Sequence, residues 1–170
     1  MRVYLVGFMS VGKTTLGYQL ARQLNMRFLD LDQLIANREK QSVQEIFNSQ
    51  GETYFRQIEK AALHTTFELP QTIVSTGGGT PAHFDNMKQM TKMGLTFYLK
   101  LPKKKIIERL ELSVKERPLV KNKSPESLDK YIESLIDKRK KFYEMAHFEV
   151  DASNKNALHY ITRILTGYMH

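Results

Sequence analysis

An α/β fold with a parallel sheet and helices on both faces is predicted by three observations. Short apolar runs alternate with helical patterns along the whole chain, the arrangement that strand–helix–strand crossovers produce. The first run, Val3-Tyr4-Leu5-Val6, leads into Gly7-Phe8-Met9-Ser10-Val11-Gly12-Lys13-Thr14, which fits the phosphate-loop pattern G-x-x-x-x-G-K-[ST]. Leu16, Leu20 and Leu24 then recur at helix spacing, so strand, loop and helix follow in the order the motif needs.

Taken in order, the first strand covers residues 2–6 and the first helix 13–24. A short run at 27–29 reads as the second strand, and a helical pattern follows at 32–40. Ser42 and Glu45 have the spacing of a capping box that opens a helix over 43–50. Gly51 separates it from a second helix over 52–67. Residues 72–75 are an apolar strand, 84–93 a helix, 96–101 a strand and 103–112 a helix. Residues 113–124 show no clear periodicity and are rich in Lys, Arg and Pro. They read as a mobile surface loop, with a lid as their functional option. A helix over 125–146, a strand over 148–150 and a helix over 156–168 complete the chain. Neither a repeat nor a linker divides it, so residues 1–170 are expected to form one domain.

In open parallel sheets ligands sit at the carboxyl ends of the strands, and three segments with chemical content fall there. In the phosphate loop, glycines let backbone N–H groups turn inward and the helix N-terminus adds its positive end. Ser10, Val11, Gly12, Lys13, Thr14 and Thr15 would line the phosphates of ATP, with Lys13 reaching the β- and γ-phosphates and the Thr14 hydroxyl on Mg²⁺. Ser10 stands where a third glycine is common and must accept the loop's backbone geometry. At the second strand's end, alternation would put Asp30 and Asp32 on one face. One carboxylate would order water around Mg²⁺ and the other bind a substrate hydroxyl and take its proton; the plain alternative is that one of them caps the next helix. After the third strand, Ser75 holds the position where phosphate-loop proteins often carry an acidic Mg²⁺ residue. That leaves Thr14 to bind the ion directly and Asp30 through water, with Ser75 as a further candidate. Gly77, Gly78 and Gly79 follow and permit close backbone approach to a ligand.

Two arginine positions add to these. Arg56 lies about one turn into its helix, where Glu59 can hold it by an i,i+3 contact. Arg117 lies in the 113–124 loop, where it could act as an arginine finger on the transferring phosphoryl group. On the following helix Phe142 and Tyr143 are expected to pack inward, leaving Arg139 to face either solvent or the site.

Composition bounds the alternatives. Hydrophobic residues make up 41% of the chain and charged residues 26%, ordinary for a globular protein. No window of eighteen consecutive apolar residues exists, and no signal peptide is visible, so the cytoplasm is expected and a membrane is not. The absence of Cys excludes disulfides and thiolate metal sites, and the five His residues form no metal pattern. The net charge is +8, with 13 basic against 7 acidic side chains over residues 103–141. A positive rim around a nucleotide site or a solvated surface explains this better than a nucleic-acid groove, because no aromatic residues are interleaved for base stacking.

The motifs together resemble the shikimate kinase family over nearly the whole chain. They are the phosphate loop, F-x-D-x-D at Phe28 to Asp32, E-I-F-x-x-x-G-E-x-x-F-R-x-x-E at Glu45 to Glu59, G-G-G at Gly77 to Gly79, R-P-L at Arg117 to Leu119, and R-x-x-x-Y-x-x-x-A at Arg139 to Ala146. The resemblance implies a P-loop three-layer α/β/α sandwich of the nucleoside-monophosphate-kinase type, with strand order 2-3-1-4-5 and a lid. It implies MgATP as donor and the 3-hydroxyl of shikimate as acceptor, in aromatic amino-acid biosynthesis. By position, Asp32 resembles the residue that binds the ring hydroxyls and serves as base. Arg56 and Arg139 resemble the clamp on the substrate carboxylate, Gly78 and Gly79 line the substrate site, and Arg117 is the lid arginine on ATP. Arg109 lies near the family's adenine-stacking arginine. A monomer acting on shikimate and ATP is expected. A related small-molecule kinase, such as a gluconate or nucleoside-monophosphate kinase, is the nearest rival, and a nucleotide-dependent nucleic-acid-binding protein a more distant one.

Overall fold

Burial on both faces of a parallel sheet organises the chain. A computed structural model describes residues 1–112 and 124–169. Residues 113–123 of the predicted loop, Arg117 among them, lie outside the described residues. Five strands, β1 (Arg2–Val6), β2 (Arg27–Asp30), β3 (Thr72–Ser75), β4 (Leu95–Lys100) and β5 (Phe148–Asp151), pair in the order β2-β3-β1-β4-β5. Every pairing is parallel, and the order is the one the resemblance implied. Alternation along β1 sends Val3 and Leu5 to one face and Tyr4 and Val6 to the other.

The first face packs against α1 (Lys13–Leu24), α5 (Lys103–Leu112), α6 (Pro125–Tyr143) and α7 (Ala157–Gly167). Leu20, Leu110, Ile132 and Ile161 close over Leu5, Phe97 and Leu99 there, all of them solvent-free. The other face is covered by α2 (Leu31–Glu39), α3 (Val43–Thr65) and α4 (Asn86–Met93). Leu31, Ile35, Ile46, Phe55, Leu63 and Met90 fill that side, joined by Tyr143 from the end of α6. A strand buried on both sides is apolar on both, which is why Val3 to Val6 and Ile73-Val74 read as runs and not as alternations.

Several boundaries differ from the sequence reading, each for a local reason. Leu31 and Asp32 belong to the first turn of α2 and not to an extended strand, so strand alternation does not relate Asp30 to Asp32. Asp30 is the N-cap: its Oδ1 accepts from the backbone N–H of Asp32 and Gln33 at 3.1 and 3.2 Å. The α3 element runs through Gly51, whose φ of 81° and ψ of 173° break the helical path. The bend is where the sequence placed it, since glycine enters that region without Cβ strain. The helix expected to reach residue 67 ends at Thr65 and tightens into a 3₁₀ turn over Thr66–Glu68. Phe84 adopts φ 53° and cannot belong to α4, which begins at Asn86. The helix expected to reach residue 146 ends at Tyr143. Phe142 is only half-buried, with the Lys141 ammonium 5.1 Å from its ring centroid. The predicted capping box is present: Ser42 Oγ accepts from Glu45 N at 3.2 Å, and Glu45 Oε2 accepts from Ser42 N at 2.7 Å.

Candidate active site

The register of three adjacent strands brings the chemical segments to one edge. Ser75 lies opposite Leu5 on β1 and opposite Asp30 on β2. The phosphate loop, Asp30 and the Gly77–Gly79 turn therefore leave the sheet at the same level.

The loop between β1 and α1 is built from two left-handed residues, Ser10 with φ 61° and Gly12 with φ 101°. Ser10 does take the strained position expected of it. Gly12 is the N-cap of α1, and having no side chain it leaves the first-turn N–H groups to whatever anion sits before the helix. Lys13 is 8% exposed. Its Nζ donates to the carbonyls of Gly7 at 2.9 Å and Phe8 at 2.7 Å, so the ammonium is folded across the inside of its own loop. Val11 is buried and Thr15 exposed. Arg109, from α5, donates from Nη1 to the Ser10 carbonyl at 3.1 Å. This ties the residue assigned to the adenine to the loop assigned to the phosphates.

Three oxygen-bearing side chains meet beside Thr14. Its Oγ1 donates to Asp30 Oδ2 at 2.7 Å and lies 3.4 Å from Ser75 Oγ. One carboxylate and two hydroxyls form an oxygen-only set, suited to a hard cation that keeps most of its water and shares phosphate ligands. No group of three or more His, Cys, Asp or Glu that could hold a metal occurs among the described residues. Asp30 is thus the carboxylate that caps α2, the plain alternative the sequence offered, and its other oxygen accepts from Thr14.

Asp32, Glu59 and Thr80 converge on Gly77. A Cβ on Gly77 would lie 2.9 Å from Asp32 Oδ1, 3.0 Å from Thr80 Oγ1 and 3.1 Å from Glu59 Oε1, so any larger residue would displace these side chains. Burial pushes the Asp32 carboxyl up to about 6, reinforced by the nearby Asp30 and Glu59 charges and opposed by Lys13 and Arg56. Glu59, 1% exposed, accepts from Thr80 Oγ1 at 2.6 Å and from Arg56 Nη1 at 2.8 Å. The i,i+3 contact expected of Glu59 is therefore present, inside the protein and not on an exposed helix face. Arg56 is 9% exposed. Its Nε and Nη2 both donate to Glu52 Oε1 at 3.1 Å, and its guanidinium carbon lies 5.1 Å from the Phe55 ring centroid. A Cβ on Gly79 would meet Arg56 Nη2 at 2.7 Å, and one on Gly78 the Met9 backbone N at 3.1 Å. Two of the three glycines thus make room for the arginine and the phosphate loop.

Arg139 reaches the same edge from α6. Its guanidinium carbon sits 5.6 Å from the centroid of Phe8 in the phosphate loop, and its charge acts on Tyr143. The Tyr143 hydroxyl, pushed up to about 12 chiefly by burial, donates to the Gly78 carbonyl at 2.5 Å. Of the two orientations left open for Arg139, the structure selects the site. His83 lies beside Arg56's partner Glu52, its Nε2 3.8 Å from Glu52 Oε1; burial holds its imidazole below the ordinary range, and the Arg56 and Arg139 charges add to this. Sequence reasoning missed His83, which belongs to no spacing pattern. It read Tyr143 as packing only, although the Arg139-to-Tyr143 interval carried the signal.

The sequence model of the shikimate kinase family matches residues 9–168. A shikimate kinase of Parabacteroides distasonis is 43% identical over 151 residues, covering 89% of this chain and 87% of that one. The crystal structure of shikimate kinase from Bacteroides thetaiotaomicron superposes with a TM-score of 0.90 at 34% identity, covering 99% of this chain and 98% of the other. Shikimate kinase from Acinetobacter baumannii in complex with shikimate superposes with a TM-score of 0.85 at 29% identity, covering 99% of this chain and 92% of the other. With its phosphate loop, its strand order and its arginine-lined edge already in place, the chain belongs to the shikimate kinase family.

Proposed function

We propose that this chain transfers the γ-phosphoryl group of MgATP to the 3-hydroxyl of shikimate, giving 3-phosphoshikimate and ADP, with Asp32 as the group that takes the hydroxyl proton. The observation that carries the reading is the convergence at Gly77–Gly79. A carboxylate of raised pKa, a buried arginine held by Glu59, and the phosphate loop all border the same three residues. Asp32 binds and orients the acceptor hydroxyl. With its pKa near 6 it is ionised at neutral pH and still basic enough to accept a proton as the oxygen bonds to phosphorus. The bond between the γ-phosphorus and its bridging oxygen breaks, and ADP leaves with the electron pair.

Phosphoryl transfer depends on positioning and charge neutralisation more than on covalent chemistry. Ser10 to Thr15 present backbone N–H groups to the phosphates, and Lys13 neutralises charge on the β- and γ-oxygens. Arg117 acts as the cis arginine finger. Thr14, Asp30 through water, and Ser75 would hold Mg²⁺, which supplies positive charge to the phosphate oxygens when bound. Arg56 and Arg139 clamp the shikimate carboxylate, because planar guanidinium forks match carboxylate geometry. Arg109 packs near the adenine. The reading further takes the chain as one domain, a cytoplasmic monomer that uses neither nucleic acid nor membrane. Among the described residues no helix is long and apolar enough to cross a membrane.

The test is an ATP-consumption screen with shikimate, gluconate and nucleoside monophosphates, with the product's phosphate position assigned by ³¹P NMR. Turnover only with shikimate, phosphorylated at the 3-oxygen, is the expected result. Preference for gluconate or a nucleotide would overturn the acceptor assignment while leaving the phosphate loop intact.

A further inference from the structure

Arg56 is held by two carboxylates of very different character. Glu59 is 1% exposed and meets Nη1 at 2.8 Å, with its other oxygen bonded to Thr80. Glu52 has a side chain 59% exposed, and one of its oxygens is shared between Nε and Nη2, both at 3.1 Å. The Glu59 contact is short and locked on both sides. The Glu52 contact is longer, spread over two donors and open to water, the class of pair that contributes least. Yet Glu52 covers the Nε/Nη2 edge, one of the edges through which arginine grips a carboxylate bidentately. That edge cannot hold Glu52 and a second carboxylate at once.

We propose that Glu52 and the substrate's carboxylate are alternative occupants of the Nε/Nη2 edge of Arg56, so that Glu52 sets the affinity and anion selectivity of the clamp. This rests on the reading of Arg56 as a carboxylate clamp. Glu52 follows the Gly51 bend on the first turn of its helical segment and sits at i,i+4 from Arg56. A rotamer change alone carries it off the edge. Leaving does not strand its charge, because the side chain is 59% exposed and faces solvent. Arg56 does not collapse when Glu52 leaves. Glu59 and the Phe47 and Phe55 rings at 5.6 and 5.1 Å hold its position independently. A weak anion must displace Glu52 without the compensating contacts that Asp32 and Arg139 give the substrate. Glu52 therefore screens the clamp against small anions at a modest cost in substrate affinity.

The two possible roles of Glu52 predict opposite signs. If Glu52 merely positions Arg56, its removal raises the KM for shikimate. If it competes, its removal lowers that KM. The experiment measures kcat, the KM of each substrate, and competitive inhibition by acetate and by inorganic phosphate for wild type, Glu52→Gln, Glu52→Ala and Arg56→Lys. Glu52→Gln keeps the shape and removes the charge, so it remains informative even if the alanine variant folds poorly. Both Glu52 variants should show a shikimate KM about two- to fivefold lower and stronger inhibition by acetate and phosphate, with the KM for ATP unmoved. A raised or unchanged shikimate KM, or unchanged anion inhibition, overturns the proposal. The clamp reading fails separately, and only if Arg56→Lys leaves the shikimate KM at the wild-type value.

Discussion

Asp32 links chemistry and stability in a single carboxyl. Its pKa in the folded protein is about 6, against an ordinary 3.8. The folded state therefore binds this proton more tightly than the unfolded chain does. Ionising Asp32 costs stability above pH 6, and the cost is relieved as pH falls from 6 toward 4. At neutral pH the difference is worth at most ~3 kcal/mol. Asp32→Asn should accordingly raise Tm at pH 7–8 while lowering kcat by roughly 10²–10⁴, the range for loss of a general base. Paired melting and turnover measurements check both; a variant that is fully active, or less stable at that pH, contradicts the assignment. In the wild type, kcat/KM for shikimate should fall with a midpoint near pH 6 as Asp32 protonates, and a flat profile down to pH 5 would remove Asp32 as base. Lys13→Ala is expected to reduce turnover by on the order of 10²–10³ through loss of one charge on the developing oxyanions.

The turn after β3 shows how an element can be shaped by what packs against it. Gly77, Gly78 and Gly79 all have negative φ, since Gly7, Gly12 and Gly51 are the glycines with positive values. Their use is therefore space and not left-handed geometry. Gly79→Ala would place its Cβ 2.7 Å from Arg56 Nη2 and push the guanidinium off its position. A displacement of about 1 Å at a binding group can cost up to 10²-fold, so the KM for shikimate should rise at least about tenfold with little change for ATP. Equal loss toward both substrates would point instead to a collapsed loop. The contrasting case is the start of α3. Ser42→Ala removes the capping box and should cost ~1 kcal/mol of stability in a denaturant titration without moving either KM. The same local signal that made this helix legible in the sequence left its 3₁₀ ending unread, because no residue type at Thr66–Glu68 forbids another helical turn.

Across the whole molecule, the proposed clamp joins residues far apart in sequence. Arg56 comes from α3 and Arg139 from α6, and a shared anionic ligand would account for both reaching the edge where β1 and β3 end. Lysine at either position keeps the charge and loses the planar fork. A charge-assisted hydrogen bond contributes about 1.5–3 kcal/mol, so productive binding of shikimate should weaken roughly ten- to 150-fold. The loss should largely vanish with an analogue lacking the carboxylate, while the KM for ATP stays constant; equal losses with both acceptors would mean that the arginines do something else.

What the sequence alone determined is whatever short-range chemistry specifies. The phosphate loop, the apolar strands, the Ser42 cap and the Gly51 bend each depend on residues within a few positions of one another. The motif series was specific enough to imply the strand order as well. Only the tertiary structure decided the outcomes that need distant partners. Asp30 is both cap and Thr14 partner because β2 ends beside the phosphate loop. Arg139 faces Phe8 and not solvent because α6 crosses the sheet's edge. His83 lies beside Glu52 because the turn after β3 packs against α3. The physical reason is common to all three: a side chain's charge, burial and partners are set by the segments packed around it, and the pattern along its own helix or strand does not encode them.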